Sequence, residues 1–72
     1  MLGERIRQAR LQAGLTQVEL ASRCRLRQGH IARIETGNIH DLKGDTIRRL
    51  ALALGVSSDW LLGITEGENA ES

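Results

Sequence analysis

The hexapeptide LTQVEL, residues 15 to 20, dictates a helix start and allows few alternatives. Thr16 can accept a hydrogen bond from the backbone three residues on, and Glu19 can reach back to the Thr16 N–H. Leu15 and Leu20 stand at the two positions that staple the entering chain to the first turn. Upstream, Leu2, Ile6, Ala9 and Ala13 recur at three- and four-residue spacing. Gly14 follows where a helix closes in the left-handed conformation. The spacing therefore predicts one helix from about Leu2 to Ala13 and a second from Gln17 to about Arg23.

The second helix must stop quickly, because the apolar phase slips around Cys24 and Leu26 before resuming at Ile31 and Ile34. That slip marks a tight turn. A third helix is expected over roughly Gln28 to Thr36, closed by Gly37, and the polar run GNIHDLKGD forms the longest loop. Ile47, Leu50, Ala51 and Leu54 make the stripe of a fourth helix ending at Gly55. Ser57 caps a short fifth helix running through Leu62, with Val56 and Leu61 as its staple and Gly63 as its stop. Residues 1–65 form one domain in this reading, and residues 66–72, in which Ala70 is the only apolar side chain, form an acidic tail expected to be disordered.

Composition agrees with an all-α domain: among 72 residues there is no Pro, Phe or Tyr, and Leu, Ile and Ala dominate the hydrophobic 40%. A chain of this length supports one marginal core, which argues against a catalytic cleft. No apolar run reaches the roughly 18 residues of a membrane span, and MLGERIRQAR has charges where a signal peptide needs an apolar stretch. A cytoplasmic location without membrane contact is expected. The single Cys24 cannot form an internal disulfide, which fits a reducing compartment.

The net charge of +1 conceals an asymmetry. Arg5, Arg7, Arg10, Arg23, Arg25, Arg27 and Arg33 face only Glu19 between positions 5 and 33, whereas Glu66, Glu68 and Glu71 load the tail. Nine of the ten basic residues are arginine, whose guanidinium forks onto phosphate or guanine better than an ammonium does, so a nucleic-acid partner fits this half. Two short helices joined by a tight turn, with Leu20, Cys24, Leu26, Ile31 and Ile34 directed inward and the small Ala21 at their crossing, meet the requirements of a helix-turn-helix.

At this point the segment TQVELASRCRLRQGHIARIETG resembles the central motif of the lambdoid phage Cro and repressor proteins, the XRE-type family. The opening ERIRQARLQAGLTQ and the ending ALGVSSDWLLG resemble the family's first and last helices. The resemblance implies a compact five-helix, lambda-repressor-like fold with the motif in helices two and three. It implies a repressor that inserts helix three into the major groove of a palindromic double-stranded DNA operator. Gln17 matches the glutamine that touches phosphate, and Gln28, Gly29 and Arg33 match base-reading positions. Arg10 and Glu35 match an ion pair that sets the angle of the reading helix. Asn38, His40 and Lys43 fall in the loop where phosphate contacts are implied. A homodimer, formed in solution or only on DNA, is implied through Leu42, Ser58 and Leu61.

Side-chain chemistry adds detail. Gln28 suits adenine N6 and N7, Arg33 suits guanine O6 and N7, and Ala32 suits a thymine methyl group. Two positions depart from the family pattern. Arg25 stands where a glycine with positive φ is usual, and Arg27 stands where Ser or Thr usually caps the helix. An Arg at a helix N-terminus opposes the dipole unless phosphate binds there, so Arg27 is read as a backbone contact. Cys24 and Trp60 read as core residues. No zinc spacing, Ser-His-Asp set or phosphate-binding glycine loop occurs, so no metal, cofactor, small-molecule ligand or enzyme activity is expected. The competing reading is a protein-interaction module, or an amino-terminal fragment of a larger regulator or antitoxin.

Overall fold

A computed structural model describes residues 2–39 and 42–64. The His40 position and the 66–72 tail lie outside the described residues. The order is α1 (Leu2–Gln12), α2 (Gln17–Cys24), α3 (Gln28–Glu35), α4 (Gly44–Leu54) and α5 (Ser58–Leu61), all α-helical.

Each junction follows from local chemistry. The Glu19 N–H donates to Thr16 Oγ1 at 3.0 Å, and the Thr16 N–H donates to Glu19 Oε1 at 2.8 Å, closing a capping box at the start of α2. Because the carboxylate accepts the backbone N–H of Thr16 and is close to its hydroxyl, the Glu19 carboxyl is held below its usual range. The one-turn α5 begins the same way, with the Trp60 N–H donating to Ser57 Oγ at 3.0 Å. Helix α1 ends at Gln12, one residue before Ala13, which is exposed in the following turn. Ala13 therefore contributes nothing to the apolar stripe, although its N–H still donates to the Ala9 carbonyl at 2.9 Å.

Ile6, Leu20, Cys24, Ile31, Ile34, Leu50 and Leu61 are fully buried and draw one residue or more from every helix into a single core. Each such aliphatic side chain removed from water contributes about 1.5–3 kcal/mol. Leu26 is only half-buried at the edge of this core, because the turn that carries it runs over the surface.

Three contacts between distant residues lock the packing. A Cβ on Gly3 would run into the Ile34 carbonyl, so α1 and the end of α3 approach at a distance only glycine permits. Arg5 joins α1 to α5, donating from Nη1 to the Trp60 carbonyl at 2.9 Å and lying 5.0 Å from the centre of the Trp60 ring. Arg49 of α4 donates to the Cys24 carbonyl at 3.2 Å, satisfying the C-terminus of α2.

Candidate nucleic-acid interface

The reading geometry begins with the turn between α2 and α3. Arg25 adopts φ 60, ψ 40, and its N–H donates to the carbonyls of Ala21 and Ser22, closing α2 in the left-handed conformation. Arginine carries a steric cost there that glycine would avoid. Arg27 then enters α3 at φ −85, ψ 147, in N-cap geometry but without a side-chain hydrogen bond. The His30 and Ile31 N–H groups both donate to the Arg27 carbonyl. With no acidic residue in the first turn of α3, the end of this helix keeps the positive character that attracts an anion.

Along α3, Ile31 and Ile34 are fully buried while Gln28, Gly29 and Arg33 are exposed and Ala32 is half-buried. The alternation places the core on one side and a polar, positively charged surface on the other. A Cβ built on Gly29 meets nothing within 4 Å. Packing within the domain therefore does not require glycine at this position, and its helix-propensity cost of up to about 1 kcal/mol is not offset by any intramolecular contact.

A buried ion pair ties this surface to the rest of the domain. Arg10 Nε donates to Glu35 Oε2 at 2.7 Å and Arg10 Nη2 to Glu35 Oε1 at 3.1 Å, with the two side chains 10% and 3% exposed. Arg10 Nη1 also donates to the Leu15 carbonyl at 2.8 Å. One arginine thus fastens α1, the α1–α2 turn and the end of α3 together. Breaking such a pair from one side costs about 3–5 kcal/mol, because the other charge is left buried and alone.

The ion pair continues outward. Gln17 Nε2 donates to Glu35 Oε1 at 3.1 Å, and Gln28 Nε2 donates to Gln17 Oε1 at 2.8 Å. The residues anticipated as a phosphate contact, a base reader and an ion pair are therefore members of one hydrogen-bonded chain. Sequence reasoning placed these four residues but missed the links, since no short-range signal connects positions 11 and 18 residues apart.

Of the loop residues, Asn38 and Lys43 are exposed, and Lys43 occupies the N-cap of α4 without a side-chain hydrogen bond. In the first turn of α4, Asp45 pairs with Arg49 at 2.8 Å and Arg48 at 3.2 Å, and hydrogen bonds from these two guanidiniums hold its carboxyl below the ordinary range.

One expectation for the dimer surface is corrected. Leu61 has no exposed surface and packs into the core, so it cannot contact a second copy. Leu42 and Ser58 are half-buried, and the exposed apolar side chains at this end are Leu62 and Ile64. Burial also pushes the Cys24 thiol up, and its Sγ lies 3.8 Å from the Arg49 carbonyl, a core environment that suppresses thiolate chemistry. Among the described residues no helix is long and apolar enough to cross a membrane, and no three His, Cys, Asp or Glu side chains gather as a metal site.

Comparison with known proteins bears on this geometry. A helix-turn-helix family model matches residues 6–61. The chain is similar to the putative antitoxin HigA2 of Mycobacterium tuberculosis, with 36% identity over 55 residues covering 76% of this chain and 54% of that protein. It is similar also to the HTH-type transcriptional regulator ImmR of Bacillus subtilis, with 35% identity over 65 residues covering 90% of this chain and 50% of that one. The chain thus spans about half the length of the curated relatives it matches. Its fold superposes on a crystal structure of the master regulator for biofilm formation, SinR, in complex with DNA, at a TM-score of 0.83 and 27% identity, over 86% of this chain and 98% of that one. The N-terminal DNA binding domain of SinR from Bacillus subtilis superposes at 0.82 with 27% identity, over 86% and 90%.

Proposed function

The chain belongs to the XRE-type helix-turn-helix family of DNA-binding transcription regulators, and from that premise we propose that it reads a specific double-stranded operator with α3 in the major groove. The observation that carries this reading is the two-sided character of α3, with Ile31 and Ile34 wholly in the core and Gln28 and Arg33 wholly outside it. Gln28 addresses adenine, Arg33 guanine, and Ala32 a thymine methyl group, while Gly29 lets the backbone come close. Gln17, Arg27, Asn38 and Lys43 hold phosphates and set the register, without reading sequence.

Two copies bind a palindromic operator whose half-sites are separated by about 34 Å, one turn of the double helix. The half-buried Leu42 and Ser58, with the exposed Leu62 and Ile64, supply the surface between copies. Repression requires only that the operator be occupied, and a cytoplasmic, nucleoid-associated protein of this kind does so without a cofactor.

Selection of bound duplexes from a random double-stranded pool at two salt concentrations tests the proposal. A palindromic sequence that persists at the higher salt supports it. Binding that is sequence-blind and abolished by salt refutes it, since phosphate contacts alone behave that way.

A further inference from the structure

The turn between α2 and α3 is closed at a cost that the rest of the molecule avoids. Every other described residue with positive φ is a glycine, whereas Arg25 stands at φ 60 with a full side chain. A strained residue of this kind points to a role for its side chain that outweighs the strain. The Arg25 side chain lines a cleft of about 560 Å³ between the end of α2 and the outer side of α4.

The cleft is strongly positive. Arg23, Arg25, Arg48 and Arg49 line it against the single acid Asp45, a balance of 4 − 1 = +3. Asp45 is already committed, with Oδ1 accepting from Arg48 at 3.2 Å and Oδ2 from Arg49 at 2.8 Å. Arg49 is anchored twice, since its Nη1 also donates to the Cys24 carbonyl. Arg23 and Arg25 are exposed, and among the described residues their guanidiniums make no hydrogen bond or ion pair, although Arg23 is near enough to Glu19 to help lower its carboxyl. Two arginine forks therefore stand ready for an external anion. One turn of α4 beyond Arg48, Leu52 lines the same cleft and is 75% exposed.

We propose that this cleft docks an acidic peptide segment of a partner protein, its carboxylates on Arg23, Arg25 and Arg48 and an apolar side chain on Leu52. Arginine clusters recognise acidic segments through paired N–H donors that match both carboxylate oxygens. Leu52 decides against a nucleic-acid backbone, which has nothing apolar to cover it. No residue of α3 lines the cleft, and neither does any residue assigned above to a base or a phosphate. The docking site is thus separate from the reading surface, and a partner held there leaves α3 free for DNA. Glu66, Glu68 and Glu71 of this chain match the charge, but Ala70 is the only apolar side chain in residues 66–72, so they do not match the whole site.

The test titrates the isotopically labelled full chain, followed by the NMR shifts of its amides, with a blocked decapeptide of Asp, Glu and Leu, and with one in which Ser replaces Leu. The expected shifts fall on residues 23–25 and 45–53, persist when the operator is saturating, and report tighter binding of the leucine peptide. Arg25→Gly keeps the left-handed turn and relieves its strain, so the fold is retained while affinity for the peptide falls about fivefold, the upper worth of one exposed ion pair. Arg7→Gln, which removes an equal charge from an exposed site on α1, leaves that affinity unchanged, and Leu52→Ser abolishes the advantage of leucine over serine. Shifts centred on α3, equal weakening by Arg7→Gln, equal affinity for the two peptides or displacement by the operator would each overturn the inference. Absence of binding at millimolar peptide would do the same. If replacing Glu66, Glu68 and Glu71 by Gln moves the same amides without peptide, the chain itself occupies the cleft and the partner is refuted.

Discussion

Arg27→Ser separates two costs that are joined at one position. Arg27 sits in N-cap geometry with no side-chain hydrogen bond and with no acid in the turn that follows. Serine there can accept from the N–H of Gly29 or His30, a cap worth about 1 kcal/mol. Removing a cation from the positive end of α3 adds about 0.3–1 kcal/mol at a surface site. The two together predict stabilisation by about 1–2 kcal/mol, which for a domain of this size raises Tm by roughly 5–10 °C. Thermal unfolding followed by circular dichroism measures that shift. On the proposed reading the same variant binds all duplexes more weakly, and the slope of log K against log salt concentration becomes shallower by about one for each bound copy. A Tm that does not rise refutes the capping account. Affinity and salt slope that do not change refute the phosphate contact, whatever happens to stability.

Other variants probe other parts of the structure. Arg33→Ala is expected to cost about 1–3 kcal/mol in binding and to relax preference at a single base pair, as read by competition among duplexes changed one pair at a time; a uniform loss would reassign Arg33 to phosphate. Gly3→Ala should destabilise by about 1–3 kcal/mol in urea unfolding, because its Cβ meets the Ile34 carbonyl and α1 must shift away from α3; unchanged stability would mean that this contact has slack. The carboxyls of Glu19 and Asp45 lie below their ordinary values of 4.5 and 3.8 in the folded protein. The unfolded chain then binds protons more readily, so their stabilisation is present above those values and is lost as the pH falls through the lower folded ones. Tm measured from pH 6 down to pH 2 should decline less steeply in Glu19→Gln, which keeps the capping geometry without a titrating group; parallel curves would count against this linkage.

Much of the helical plan was legible because the signals are short. Thr16 and Glu19 are three residues apart and make their capping box by themselves, and Gly14 and Gly55 close α1 and α4 at φ 73 in both cases. Ile31 and Ile34 disclosed the buried side of α3, and hence its exposed side, by spacing alone. Short-range signals failed at Ala13, which lies beyond the end of α1, and the family resemblance that implied Leu61 as a dimer contact missed that its side chain is wholly buried.

The amino-acid sequence by itself determined where the helices begin and end, which faces are apolar, and that the arginines crowd into one half of the chain, because capping, periodicity and charge act over three or four residues or simply add up. Only the tertiary structure decided what those faces become. The crossing of α1 over α3 makes Gly3 indispensable. The meeting of Arg10 with Glu35, 25 residues away, buries the charge whose hydrogen bonds run through Gln17 to Gln28. Such contacts depend on how whole helices lie across one another, and that is set by the packing of the complete core rather than by any stretch of chain.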